Sequence, residues 1–127
     1  MNGEAGPVMQ IGDTLLVSLQ GDLDDIAVVE VEEHLTREVA RTGAGGMLID
    51  VSGLSVVDTF IARVLARMVA MVRLLGAEVA VVGIQPAVAI TLVELGVPMG
   101  DLDTALNAEK GLALLARLRR DGRRRAY

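Results

Sequence analysis

The first apolar segments of the chain are short and close together. Residues 8–11 and 14–19 are rich in residues that favour strands, and the pair Gly12 and Asp13 between them is typical of a tight turn. This pattern predicts two adjacent strands, joined as a hairpin at the edge of a sheet.

A helical pattern follows over residues 26–42. Asp24 and Asp25 precede it, where acidic side chains favour the positive end of a helix dipole. The helix is expected to stop near Thr42, because Gly43 begins a glycine-rich turn. One side of the helix is predicted to face the core, since apolar residues recur every three or four positions: Ile26, Val28, Val31, Leu35 and Val39.

Two continuous apolar runs, 47–51 and 78–84, predict strands that are covered on both faces. A helix is predicted after each of them. Asp58 offers an N-cap carboxylate before a helix over 59–75, and the next helix, over 86–96, begins with a proline, which is favoured at the first position.

The last predicted elements are a short strand within 102–106 and a helix that Asn107 caps and that runs through Leu118. Strands and helices thus alternate, which is typical of an α/β fold with a mostly parallel sheet packed against helices. We expect residues 1–118 to form a single domain and residues 119–127 to form a basic, frayed tail.

The composition supports one dense core and excludes several classes of site. Hydrophobic residues make up 52% of the 127 residues, but Phe60 and Tyr127 are the only aromatic ones, so the chain is poorly equipped to stack nucleic-acid bases. Cysteine is missing, which excludes disulfides, a thiol nucleophile and cysteine-ligated zinc.

Charge is distributed unevenly around a formal net charge of -5. Residues 1–110 hold 16 acids and 6 bases, whereas residues 111–127 hold 1 acid and 6 bases. The acidic body repels phosphate backbones, and the basic end, although it is a possible contact for nucleic acid or anionic lipid, is expected to be simply solvated. Its bases are Arg117, Arg119, Arg120, Arg123, Arg124 and Arg125.

The sequence also argues against a membrane or secreted location. The longest apolar stretch, 60–75, is interrupted by Arg63, Arg67 and Arg73, each of which is costly at the centre of a bilayer. The N-terminal residues show no basic segment followed by an apolar one, so no secretory signal is predicted. The cytoplasm is therefore the expected location.

No catalytic constellation is apparent. His34 is the sole histidine, so it cannot form a paired zinc motif, and it is expected to be an exposed helix residue. A nucleophile elbow and a phosphate-binding glycine loop are both missing. The cluster Asp22, Asp24 and Asp25 lacks the calcium-loop pattern and is expected to cap a helix. We expect no enzymatic activity, no cofactor and no metal.

A hydroxyl at the start of an apolar helix remains as a candidate site. Thr59 follows the predicted N-cap Asp58, and a first-turn threonine can simply satisfy backbone donors. The helix dipole and open N–H groups also favour a phosphoryl group there, and Arg63, four residues on, lies on the same helical face. Asp58, however, is a neighbouring negative charge that repels such a group. Two outcomes therefore stay open: the phosphate is held at the helix start, or it pushes a partner away.

Several stretches within residues 16–96 resemble RsbS-type stressosome proteins, which are stand-alone STAS domains of the anti-sigma factor antagonist superfamily. The longest is GIQPAVAITLVELG at 83–96, and the Asp58–Thr59 junction falls where that family places its phosphorylation site. The other matching stretches are LVSLQ at 16–20, LDD at 23–25, VDTFIA at 57–62 and GA at 76–77.

This resemblance implies a STAS fold, with a mixed, mostly parallel sheet flanked by about four helices. It also implies a phosphorylation-regulated scaffold that sequesters a serine/threonine switch kinase within a stressosome. The implied partners are that kinase, STAS co-antagonist paralogues, a phosphatase that resets the site, and further copies of the chain. The implied phosphoacceptor is Thr59, although the family usually has serine there, and Asp58, Phe60 and Arg63 are expected to contact the kinase.

Other functions stay open at this point. An anti-sigma factor antagonist would bind an anti-sigma kinase directly, and a small-molecule or nucleotide sensor would hold its ligand near Asp50 and Asp58. Only about seven residues precede the first predicted strand, which favours the antagonist over the co-antagonists, because those carry a sensor domain before the STAS domain.

Overall fold

The computed structural model describes residues 8–21, 23–96 and 102–125. Within these ranges the chain forms five strands and four helices, which alternate along most of the sequence. Their bounds are β1 Met9–Ile11, β2 Thr14–Gln20, α1 Asp25–Thr42, β3 Gly46–Gly53, α2 Thr59–Leu74, β4 Glu78–Val82, α3 Pro86–Glu94, β5 Thr104–Ala105 and α4 Ala108–Arg125.

The five strands form one sheet in the order β1-β2-β3-β4-β5. β1 is antiparallel to β2, with Gln10 opposite Leu15, whereas the other neighbouring pairs are parallel. Parallel neighbours need a crossover connection, and α1, α2 and α3 supply it. The predicted fold class, a mixed and mostly parallel sheet with helices, is confirmed, and so is the hairpin at the edge of the sheet.

Helices cover both faces of this sheet. Side chains along β3 alternate between them: Leu48 packs with Leu115 of α4, whereas Ile49 belongs to the larger core that α1 and α2 share. α4 lies very close to the sheet, because a Cβ added at Gly111 would come within 2.5 Å of Leu48 and 2.6 Å of Val82. A larger residue at this position would therefore displace the side chains of Leu48 and Val82.

A carboxylate buried between α1 and α2 is held by an arginine. Glu32, whose side chain is 7% exposed, accepts hydrogen bonds from Nε and Nη2 of Arg67 at 2.6 and 2.8 Å. The hydrogen bond to Glu32 and the charge of its carboxylate raise the pKa of the Arg67 guanidinium above its ordinary value. Arg67, which interrupts the longest apolar stretch of the sequence, thus joins the two helices.

The C-terminal helix is longer than predicted. α4 continues to Arg125, whereas the sequence predicted an end at Leu118. One reason is an ion pair between Arg119 and Asp13 in the turn between β1 and β2. The Arg119 guanidinium also lies against Gly45, where an added Cβ would come within 2.6 Å of it. These contacts hold the helix against the domain beyond its predicted end.

Three further expectations differ in detail. β4 ends at Val82 rather than residue 84, because Gly83 turns the chain with a φ of +78°. The last strand is limited to Thr104–Ala105. Ile26 is 73% exposed and does not belong to the buried stripe of α1. It precedes the first buried position, Val28, by two residues, and that spacing places the two on opposite sides of a helix.

Substituting Arg67 by methionine tests the contribution of the Glu32 ion pair. Arg67→Met leaves the Glu32 carboxylate buried without its two donors, which is costly. We expect the melting temperature to fall by about 5 °C or more. Arg63→Met is the matched control, because Arg63 is exposed on the same helix, and it should change the melting temperature by about 1 °C or less. Scanning calorimetry at neutral pH measures both; equal effects would contradict a stabilising role of the pair.

Candidate functional site

The first turns of α1 and α2 lie side by side at the carboxyl edge of the sheet. β2 and β3 are parallel, and Gln20 pairs with Gly53 where these strands end. The Gly21 N–H then donates to the Gly53 carbonyl oxygen at 3.3 Å, which joins the two loops that follow. Open α/β sheets commonly bind ligands at this edge, and it holds the residues that the sequence predicted as a functional site.

Asp58 caps α2. Its backbone is extended, with φ -98° and ψ 179°, and its Oδ1 accepts a hydrogen bond from the Ile61 N–H at 2.8 Å. Its carbonyl oxygen accepts from the Ala62 N–H at 2.9 Å, which begins the helical ladder. Asp24 caps α1 in the same way and accepts from the Ala27 N–H at 2.8 Å. The predicted start of α2 is confirmed.

The first turn of α2 presents the other candidate residues to solvent. Thr59, Phe60 and Arg63 are exposed, and so is Asp58. Within the described ranges, neither the Thr59 hydroxyl nor the Arg63 guanidinium takes part in the side-chain hydrogen bonds and ion pairs of the fold. We refer to these four residues as the α2 entry surface.

The loop that leads into this surface is anchored from beneath. Leu54 and Val57 are 1% and 5% exposed, and the Leu54 N–H donates to the Val51 carbonyl oxygen at 3.0 Å. Val56, by contrast, is 79% exposed and lies two residues before the cap. The sequence does not mark Val56 as a surface residue, because an isolated apolar residue in a loop has no periodicity that separates it from the core.

Asp50 accepts a hydrogen bond near the end of its own strand, β3. Its Oδ1 accepts a hydrogen bond from the Ser52 N–H at 2.9 Å. The Ser52 carbonyl oxygen accepts from Nε2 of Gln85 at 2.8 Å, and Gly83 lies so close that an added Cβ would be 2.7 Å from the Ser52 Cβ. The contacts of Gln85 and Gly83 with Ser52 join the end of β3 to the start of α3. One oxygen of Asp50, a residue near which the sensor hypothesis placed a ligand, is already hydrogen-bonded within the protein.

A groove of about 580 Å³ lies between α3 and the β5 region. Its lining is mostly apolar, and neither Asp50 nor Asp58 contributes to it. The lining residues are Gly83, Ile84, Gln85, Ala89, Leu92, Val93, Leu102, Thr104, Ala105 and Leu106.

Groups that could bind a metal do not cluster in the described part of the chain, where no set of three or more histidine, aspartate and glutamate side chains is arranged around one point. Asp24 caps α1 and Asp25 begins it, while Asp22 lies outside the described residues. His34 is half-buried on α1, so the expectation that it is exposed is wrong. Among the helices in these ranges, none is long and apolar enough to cross a bilayer.

A comparison with known protein families gives a match to this chain. The family model of the STAS domain matches residues 7–100. The chain belongs to the STAS domain family. The site described above, at the start of the helix after the third strand, is therefore part of a STAS domain. The predicted family is confirmed.

Solved structures extend the similarity to RsbS. A serine-to-glutamate variant of RsbS from Moorella thermoacetica is 38% identical, with a TM-score of 0.82 over 90% of this chain and 97% of that chain. A chain from a structure described as the molecular architecture of the stressosome, a signal integration and transduction hub, is also 38% identical. Its TM-score is 0.80, over 90% of this chain and 99% of that chain. These similarities agree with the RsbS-type resemblance in the sequence.

Curated relatives include the RsbT co-antagonist protein RsbRA of Bacillus subtilis (strain 168). It is 30% identical over 109 residues, which are 85% of this chain but 40% of the relative. RsbRD of the same organism is 28% identical over 114 residues, which are 89% of this chain and 41% of the relative. The chain thus spans about two fifths of the length of the curated relatives it matches.

Removing the Asp58 cap should weaken the fold by a measurable amount. Asp58→Ala eliminates the acceptor for the Ile61 N–H, and we expect the free energy of unfolding to fall by about 1 kcal/mol. Asp58→Asn is the control, because it keeps a side-chain oxygen, and it should lose no more than about 0.3 kcal/mol. Urea denaturation followed by circular dichroism measures both. Equal stability of Asp58→Ala and the unmodified chain would contradict the cap.

Proposed function

We propose that this STAS domain is a non-enzymatic, cytoplasmic protein that sequesters a serine/threonine switch kinase within a stressosome-like complex and is regulated by phosphorylation of Thr59. The exposed Thr59 hydroxyl, in a chain 38% identical to RsbS over 90% of its length, carries the proposal. STAS co-antagonist paralogues are its proposed partners in the complex, and a phosphatase resets the site. The output is control of stress signalling.

The position of Thr59 leaves its hydroxyl available to a kinase. Hydroxyls farther along the helices are engaged: those of Thr36, Thr42 and Thr91 each donate to a backbone carbonyl oxygen four residues earlier. Thr59 is the first residue of α2, so the helix has no earlier turn to which its hydroxyl could donate. Transfer of a phosphoryl group to Thr59 therefore requires no local unfolding.

A phosphate on Thr59 acts mainly by changing the charge of the α2 entry surface. The Ile61 N–H, a donor that a phosphate would otherwise use, is already bonded to Asp58. A modification that adds about -1.5 to -2 charges then lies beside the Asp58 carboxylate, and Arg63 on the next turn compensates only part of it. Added negative charge at a contact surface weakens kinase capture, and this is the proposed release step.

Phe60 is the proposed apolar anchor for the kinase. Among the described residues, Phe60 is the one phenylalanine, tyrosine or tryptophan. Its side chain is 40% exposed, and it directly follows Thr59, the proposed phosphoacceptor. The exposed side chain of Val56 adds to the apolar area. An aromatic residue within a polar rim is typical of an interface hot spot, and Asp58 and Arg63 supply charged groups for that rim.

Phosphate mapping tests the acceptor. The chain is incubated with the switch kinase and ATP, and the products are analysed by mass spectrometry. We expect phosphate on Thr59 and its loss in Thr59→Ala. Ser55→Ala is the matched control, because Ser55 is an exposed hydroxyl in the same loop, and it should leave phosphorylation unchanged. Phosphate that stays at the unmodified level in Thr59→Ala contradicts the assignment.

Kinase capture by the unphosphorylated chain tests the contact surface. Phe60→Ala removes the proposed anchor and should weaken binding about tenfold or more, because truncation of a central aromatic residue is among the costly changes at interfaces. Leu74→Ala is the control: Leu74 is 86% exposed at the far end of α2 and should change binding less than about twofold. Titration calorimetry measures both, and equal affinities would place the contact elsewhere.

A further inference from the structure

The side chain of Gln85 does not cap the helix that it begins. Gln85 is the N-cap residue of α3, a position where short polar side chains normally accept a backbone N–H of the first turn. Among the described residues, its side chain accepts no such hydrogen bond. Nε2 of Gln85 donates instead to the Ser52 carbonyl oxygen at 2.8 Å, between residues 33 positions apart. The residue therefore acts on the end of β3.

Within the described sheet, the end of β3 has no strand partner on the side of β4. Pairing between β3 and β4 ends at Asp50 and Val82, whereas β3 continues to Gly53. On its other side, β3 remains paired with β2 as far as Gly53. Nε2 of Gln85 bonds to Ser52 beyond the last pair with β4, so it takes the place of a strand N–H there.

Two further residues contact Ser52. Gly83, directly after β4, has a φ of +78°, and an added Cβ would come within 2.7 Å of the Ser52 Cβ and 3.2 Å of its Cα. The Ser52 N–H donates to Oδ1 of Asp50 at 2.9 Å. The connection between β4 and α3 thus contacts Ser52 at two points, through the Gln85 amide and through the close approach of Gly83.

We propose that Gln85 is a positioning residue for the Thr59 switch: by holding the end of β3, it fixes the start of the loop that presents the phosphoacceptor to the kinase. This proposal rests on the function proposed for Thr59. The loop has five residues, 54–58, of which Leu54 and Val57 are buried. Without the Gln85 hydrogen bond the start of this short loop is free to move, and the kinase must then order it on binding.

A neutral substitution of similar length tests this role. Gln85→Met removes the donor, and we expect the KM of the switch kinase for the chain to rise about fivefold, the factor that corresponds to loss of one ordinary hydrogen bond. The kcat should stay within about twofold. Gln10→Met is the matched control: Gln10 donates to the Gly12 carbonyl oxygen at 3.2 Å, so it loses an equivalent bond, and it should leave KM unchanged. Phosphate on Thr59, measured at a series of chain concentrations, gives both constants.

Hydrogen exchange followed by NMR tests the same contact without the kinase. The Leu54 N–H donates to the Val51 carbonyl oxygen at the start of the loop, and it should exchange about fivefold faster in Gln85→Met than in the wild-type chain. The Val28 N–H of α1, which donates to the Asp24 carbonyl oxygen, should exchange at the wild-type rate.

Three results would overturn the role of Gln85: a wild-type exchange rate of the Leu54 N–H in Gln85→Met, a wild-type KM in that variant, or an equal rise of KM in Gln10→Met. A wild-type chain that takes no phosphate contradicts the function proposed for Thr59 instead. The exchange rates then decide separately whether Gln85 holds the loop.

Discussion

Parallel pairing of β2 with β3 places the first turns of α1 and α2 at one edge of the sheet. The pairing extends to Gln20 and Gly53, and one backbone hydrogen bond from Gly21 continues it into the loops. Each helix then begins at an aspartate that accepts a backbone N–H three residues on. Backbone hydrogen bonds and helix caps thus define the edge of the sheet that carries Thr59.

The anchoring of the loop before α2 bears on the proposed switch. The loop before α2 is anchored by the buried side chains of Leu54 and Val57, and Glu32 and Arg67 join α1 to α2 behind it. A phosphate on Thr59, as proposed, is then placed beside the Asp58 carboxylate and one helical turn from the Arg63 guanidinium. The proposed switch therefore works at the level of surface potential, and the partner detects it.

Local signals in the sequence were sufficient for most of the fold. Asp58 and Asn107 were identified as caps from residue type and position alone, and both accept the expected backbone N–H. The extent of α4 could not be predicted, because the ion pair between Arg119 and Asp13 joins residues 106 positions apart. The placement of Thr59 at a helix start followed from its neighbours, whereas its proposed phosphorylation depends on a partner kinase.

The close packing of α4 also bears on the order in which the molecule can be completed. Leu48, Ala80 and Val82 form one apolar face of the sheet, and Leu115 of α4 covers it, with Gly111 in contact. α4 follows all the strands in the sequence, so during synthesis this face stays uncovered until the helix has left the ribosome. For that interval the nascent sheet exposes an apolar surface on one side, at the positions that Leu115 later covers.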